Sequence, residues 1–132
     1  MNFDFLPYQL NADISDFKDN VKYISSDNGV DLYRAKDGFI KALLGFPVIV
    51  VNLYFFEGDL ITMYIHLGEN PEHIEQVNKT LEHSITRPGK ALKLDSGTGY
   101  IWKGESATLA IIQDMSKERL YLYNSLKRFD VL

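Results

Sequence analysis

The chain of 132 residues is 45% apolar and 13% aromatic against 24% charged, the balance of one folded domain and not of a disordered chain. A net charge of −4 without any Lys/Arg cluster lacks the electrostatic footprint of a nucleic-acid binder, and the absence of cysteine excludes disulfides, thiolate nucleophiles and zinc knuckles. The longest apolar run, residues 48–56, is interrupted by Asn52 and is too short to cross a bilayer as a helix.

The start, "MNFDFLPYQL", carries no basic n-region, long apolar h-region or small-residue cleavage site, so a cytoplasmic protein is expected, or a periplasmic one whose signal has been removed. In "NADISDFKDNV", Ile14, Phe17 and Val21 recur at i, i+3 and i+7, the spacing of a short amphipathic helix. Asn11 or Asp13 is available as its N-cap, and Asp13 and Asp16 make its outer face acidic. "VKYISSDNGVDLYRA" reads as a hairpin with a three-residue loop, Asp27-Asn28-Gly29, pairing Ile24 with Leu32 and Tyr23 with Tyr33. Asp37-Gly38 marks a further turn.

The strongest pattern is "PVIVVNLYFFEGDLITMYIHLG", two alternating runs either side of Glu57-Gly58-Asp59. A three-residue loop puts Phe55 opposite Ile61, Leu53 opposite Met63, Val51 opposite Ile65 and Ile49 opposite Leu67, an unbroken aliphatic face. The other face then carries Asn52, Tyr54, Thr62, Tyr64 and His66. "NPEHIEQVNKTLEHSI" predicts a second helix, with Asn70 as N-cap, Pro71 at its first position, a buried stripe of Ile74, Val77 and Leu81, and an end at Arg87-Pro88-Gly89. "GYIWKGESATLAIIQDMSKERLYLYNSL" predicts three more strands, with turns near Gly104-Glu105 and Ser116-Lys117.

These elements assemble most simply into an α+β fold, an antiparallel β-sheet of about six to eight strands with two helices packed on one face. The other face, with Tyr121 and Tyr123 added, is left for solvent, for a partner, or for the N-terminal "MNFDFLPY" as a cover.

Catalytic readings find little support. "LDSG" at 94–97 begins like an aspartic-protease loop, but such a site needs two carboxylates sharing one proton and a long downstream segment, so Asp95 reads as a loop residue. Gly97 and Gly99 lack the lysine and following helix of a phosphate cradle. His66, His73 and His83 do not have metal-ligand spacing, and Asp13, Asp16 and Asp19 do not have EF-hand spacing. Ser84 sits on a predicted helix, where no nucleophile elbow forms. No enzyme activity, metal or cofactor is expected.

Between residues 46 and 126, "YFFEGDL" runs into "TMYIHLG", then a helix, then "GYIWKGESATLAIIQD" and "RLYLYNS". This layout resembles the helix-plus-antiparallel-sheet modules of the β-lactamase-inhibitory-protein-like type and small bacterial immunity proteins. The resemblance implies a non-catalytic binder working through an open, aromatic sheet face, and carries over no individual residue. The expectation is thus an inhibitor or immunity-type module binding another protein, not nucleic acid or membrane. The negative charge favours a basic partner, a toxin or an enzyme. The expected contacts are Asn52, Tyr54, Thr62, Tyr64, His66, Tyr121 and Tyr123, helped by Asp13 and Asp16. The alternative is a small apolar ligand held between the sheet and the second helix near Trp102.

Overall fold

Two tight turns set the geometry of the N-terminal half. Strands β1 (Val21–Asp27) and β2 (Val30–Ala35) are joined by Asn28-Gly29. After the short β3 (Ala42–Leu43), β4 (Phe46–Phe56) and β5 (Asp59–Leu67) are joined by Glu57-Gly58. Both central residues of each turn hold positive φ, 52° and 82° in the first and 52° and 83° in the second. This is the mirror-image turn whose twist matches that of the flanking strands.

The three-residue loops expected from the sequence therefore do not form. Two residues make each turn, and the extra one becomes a bulge inside the hairpin: Ile24 in β1 and Ile61 in β5. Tyr23 does pair with Tyr33, but Leu32 lies opposite Ser25 instead of Ile24. Leu53–Met63 and Val51–Ile65 pair as expected, whereas Phe55 faces Leu60 and a second irregularity sets Leu67 opposite Val48. Ile49 is left 67% exposed. Bulges thus keep Val51, Leu53, Met63, Ile65 and Leu67 on one face although the turn is a residue shorter, at the cost of turning Ile49 out of it.

The computed structural model describes residues 3, 5–68, 70–116 and 118–132. A single α-helix lies among them, α1 (Ile74–Ile85), entered through a 3-10 turn, Pro71–His73. Asn70 caps that turn, its side-chain oxygen accepting from the Glu72 N–H at 2.9 Å. The expected stripe of Ile74, Val77 and Leu81 is buried, together with Asn78 and Ile85. The helix ends at Thr86, left-handed at φ 59°, just before the Arg-Pro-Gly stop expected. Four strands follow instead of three: β6 (Lys90–Leu94), β7 (Gly97–Lys103), β8 (Ala107–Asp114) and β9 (Arg119–Leu126). The turns fall near Gly104 and Ser116 as read, with Lys117 outside the described residues.

The strands form one antiparallel sheet of nine, ordered β1-β2-β4-β5-β9-β8-β7-β6, with β3 paired to β4. Helix α1 carries the chain from the middle of the sheet to its far edge, and a second meander returns until β9 pairs with β5. One face holds the main core, including Val51, Leu53, Met63, Ile65, Leu109, Ile111, Leu120 and Leu122. The buried stripe of α1 covers part of that face, and Phe3, Leu6, Tyr8 and Phe17 cover another part.

The expected class, two helices on one face of the sheet, is thereby corrected to a sheet-dominated fold with one α-helix among the described residues. The first candidate helix is only a four-residue 3-10 turn, Ile14–Phe17. Its neighbours' backbone groups are committed elsewhere: Asn11 N–H donates to Leu60 O (2.8 Å), Leu60 N–H to Ala12 O (2.9 Å) and Ile14 N–H to Gly58 O (2.8 Å). Bonds made to the β4–β5 hairpin cannot also propagate a helix, and a segment this short does not sustain one alone. Phe17 still packs inward, edge-on to Phe55 at 5.5 Å between ring centroids. Phe3, Leu6 and Tyr8 likewise cover the core face and not the aromatic one, while Met1, Asn2 and Asp4 of that segment lie outside the described residues.

Candidate functional site

The alternation that sends Leu53 and Met63 inward sends Asn52, Tyr54, Thr62, Tyr64 and His66 outward. Strand β9 completes the outer face, because its register sets Tyr123 opposite Tyr64, Tyr121 opposite His66 and Ser125 opposite Thr62. All seven sheet residues singled out from the sequence therefore sit together on three adjacent strands. Tyr64 is their centre, with ring centroids 5.8 Å from Tyr54, 5.8 Å from Tyr121 and 5.2 Å from Tyr123. His66 extends the row, 5.6 Å from Tyr121. Such offset and edge-on ring contacts are favourable in themselves and hold the row rigid.

The members differ in availability. Tyr54, Tyr64, His66, Tyr121 and Asn52 are half-buried, whereas Thr62 and Tyr123 are buried. The Thr62 hydroxyl is hydrogen-bonded to that of Ser125 at 2.8 Å. Burial, followed by the neighbouring Tyr123, Tyr121, Tyr54 and Asp130, pushes the Tyr64 phenol far above its ordinary range. Burial also raises Tyr121 and Tyr123. These are neutral phenols at physiological pH, suited to stacking and hydrogen bonding and not to proton abstraction.

At the His66 end the face opens into a groove of about 700 Å³ lined by Arg34, Val50, Asn52, His66 and Arg119, among others. Ile49, 67% exposed, and Met115, 55% exposed, also line it. Arg34 Nε donates to Asn52 Oδ1 at 3.0 Å, fixing both side chains at the groove wall. The sequence reading missed Arg34, Ile49, Met115 and Arg119. The alternation of β2 places Arg34 beside Asn52, but only the folded register reveals that neighbour.

Asp13 and Asp16 do not join this surface. Asp13 caps the 3-10 turn, accepting from Ser15 N–H at 2.8 Å, a bond that holds its carboxyl below the usual range. It bridges Asp59 beside the β4–β5 turn, and the segment's Phe17 enters the opposite face of the sheet. Asp95 is exposed at the two-residue tip of the β6–β7 hairpin. His66, His73 and His83 lie on β5, at the start of α1 and in its last turn. No group of three His, Asp or Glu among the described residues has the geometry to hold a metal ion. Trp102 itself is 1% exposed and donates its indole N–H to the Arg87 carbonyl at 2.9 Å, while a cleft of about 300 Å³ between the start of α1 and the sheet is lined by Ile74, Glu75, Leu92 and Tyr100, among others.

No helix among the described residues is long and apolar enough to cross a membrane. Comparison with protein-family models, curated proteins and solved structures gave no match.

Proposed function

We propose that this protein is a non-catalytic interaction module of the inhibitor or immunity type, which docks a partner protein on the outer face of its sheet. The observation that carries the reading is the continuous row Tyr54–Tyr64–Tyr121–His66, lying outside the main core and running into a groove lipped by exposed Ile49 and Met115. Tyrosine, methionine and arginine are the residues enriched at protein interfaces, where rigid rings give contact area at small entropic cost. The partner is a protein of net positive charge, because this chain carries −4. The exposed Asp13, Asp16 and Asp19 stand off the face, so their part is long-range steering, which salt weakens.

The test is capture from source-organism lysate on the immobilised protein, repeated with Tyr54→Ala, Tyr64→Ala and, as a control on the exposed side of α1, Lys79→Ala. The expected result is one protein retained stoichiometrically, with each tyrosine substitution costing about 1–3 kcal/mol of affinity and Lys79→Ala close to nothing. Retention unaffected by both tyrosine substitutions removes the outer face as the docking surface.

A further inference from the structure

Residues 127–132 leave β9 through a 3-10 turn, Lys127–Phe129, and cross back over the outer face as far as β7. Most of their attachment is polar and centred on one carboxylate. Asp130 Oδ1 accepts from the Tyr123 hydroxyl at 2.9 Å and from the Leu132 N–H at 2.9 Å. Its Oδ2 accepts from the Thr108 hydroxyl at 2.7 Å, with the Lys103 ammonium 3.9 Å away. Lys103 also donates to the Leu132 carbonyl oxygen at 3.0 Å, and the Val131 N–H donates to the Tyr123 hydroxyl at 3.0 Å. Tyr123, Thr108 and Lys103 thus reach the carboxylate from β9, β8 and β7.

The apolar grip comes mainly from Leu132, which packs against the outer-face cluster of Ile101, Ala110, Ile112 and Tyr123. Val131 is 78% exposed, and Phe129 is half-buried, its ring 5.5 Å from that of Phe56. Between this segment and the sheet lies a slot of about 290 Å³, walled by Tyr54, Ile61, Thr62 and Tyr64 on the face and by Phe129 and Val131 on the segment. The segment arches over the face and leaves apolar surface uncovered beneath it.

We propose that residues 127–132 are a hinged strap, latched by Asp130, whose opening bares the slot for an apolar side chain of the partner. The physical basis is that Asp130 gathers the largest share of the strap's polar attachment. Surface segments of this kind open locally at a small fraction of the global unfolding free energy, and loss of the carboxylate removes the bonds from Tyr123, Thr108 and the Leu132 N–H together, leaving Lys103 to Leu132 O, Val131 N–H to Tyr123 and Lys127 N–H to Ser106 O. The identity of the occupant rests on the docking reading above, whereas the opening of the strap does not.

The experiment uses the full chain and no partner. Lys127 and Arg128 are exposed, so trypsin removes the strap whenever it lifts. Wild type, Asp130→Asn and Thr108→Val are digested at neutral pH and followed by mass spectrometry, with anilinonaphthalene sulfonate as a fluorescent probe of the slot. The expected result is strap loss about tenfold faster or more in Asp130→Asn and more modestly faster in Thr108→Val, with a gain of dye fluorescence and no matching increase in cuts elsewhere. Wild-type rates in both variants overturn the latch. So does equal acceleration at Lys22 and Lys79, which reports global unfolding, and faster release without added dye fluorescence overturns the slot. A strap that stays shut in both variants leaves docking on the tyrosine row intact, and a tyrosine row without effect on capture leaves the strap measurement standing.

Discussion

Gly99→Ala tests how closely β7 and β8 are packed. A Cβ at this position would stand 2.0 Å from the Ile111 carbonyl oxygen and 3.0 Å from its carbon. Ordinary C···O contacts lie near ~3.3 Å or beyond, so the strands have to part by about 1 Å locally. The obstacle is backbone, held in a ladder where Gly99 pairs with Ile112 and Tyr100 with Ile111, so no side chain can swing aside. Parting the strands lengthens about two ladder hydrogen bonds, each worth roughly 1 kcal/mol net. It also displaces Ile111 and Ile112, both fully buried on opposite faces, and such forced repacking typically costs about 1–3 kcal/mol. The sum, about 3–5 kcal/mol, is a large share of the ~5–15 kcal/mol that holds a typical domain folded. Urea unfolding followed by circular dichroism reads it directly. With a slope of about 1–3 kcal/mol per molar, the midpoint should fall by roughly 1–5 M. Ser96→Ala, at the exposed hairpin tip, serves as the control and should leave it in place. A Gly99→Ala midpoint within ~0.5 M of wild type refutes the close approach.

Three further outcomes follow from individual groups. Among the described residues the buried Tyr8 hydroxyl has no hydrogen-bond partner, and burial pushes its phenol well above the ordinary range, while its ring packs on Phe17 at 4.8 Å and Phe39 at 5.6 Å. Tyr8→Phe keeps the ring and removes the orphan donor, so Tm should rise by the equivalent of about 1 kcal/mol; a lower Tm shows that the hydroxyl is satisfied. Thr86 holds φ 59° at the end of α1, an unfavourable conformation for a β-branched residue, and Thr86→Gly should stabilise by about 0.5–1 kcal/mol after glycine's extra chain entropy; destabilisation in urea refutes this. Burial tends to raise the Asp130 carboxyl, but bonds from Thr108, Leu132 N–H and Tyr123, with Lys103 nearby, hold it below its usual value. Because the folded value is depressed, the latch contributes fully above the ordinary carboxylate pKa of ~3.9 and is lost as pH falls through the lower folded value. The Leu132 amide resonance should report that titration by NMR, with its midpoint moved upward in Thr108→Val. A wild-type midpoint at or above the ordinary range contradicts the account.

Legibility from sequence divides along the range of the interactions involved. Helix α1 was readable because its signals are local: Asn70 as cap and the Ile74, Val77, Leu81 stripe need only their own neighbours. The β4–β5 hairpin and its outward Tyr54, Tyr64 and His66 were readable because period-two alternation survives any bulge that restores it. The spacing of Ile14, Phe17 and Val21 misled, since the same spacing arises when Phe17 turns into a core and Val21 begins a strand. Strand β6 at the sheet edge has five residues, none of them buried, so its alternation of half-buried Leu92 and Leu94 with exposed Lys93 is too short to announce itself.

Periods of two and 3.6, with cap and turn residues, were enough to show that β4 and β5 turn an aliphatic face in and an aromatic face out and that a capped helix follows; they wrongly added a second helix before them. Beyond the local hairpins, only the folded sheet settled which distant strands became neighbours, and hence that Tyr121 and Tyr123 would meet Tyr64, that Arg34 would reach Asn52, and that Asp130 would cross to Thr108. Those contacts join residues from separate strands through hydrogen-bond ladders and a returning tail. Their free energy exists only once the β5–β9 pairing has closed the two meanders into one sheet, and no local window of the chain contains it.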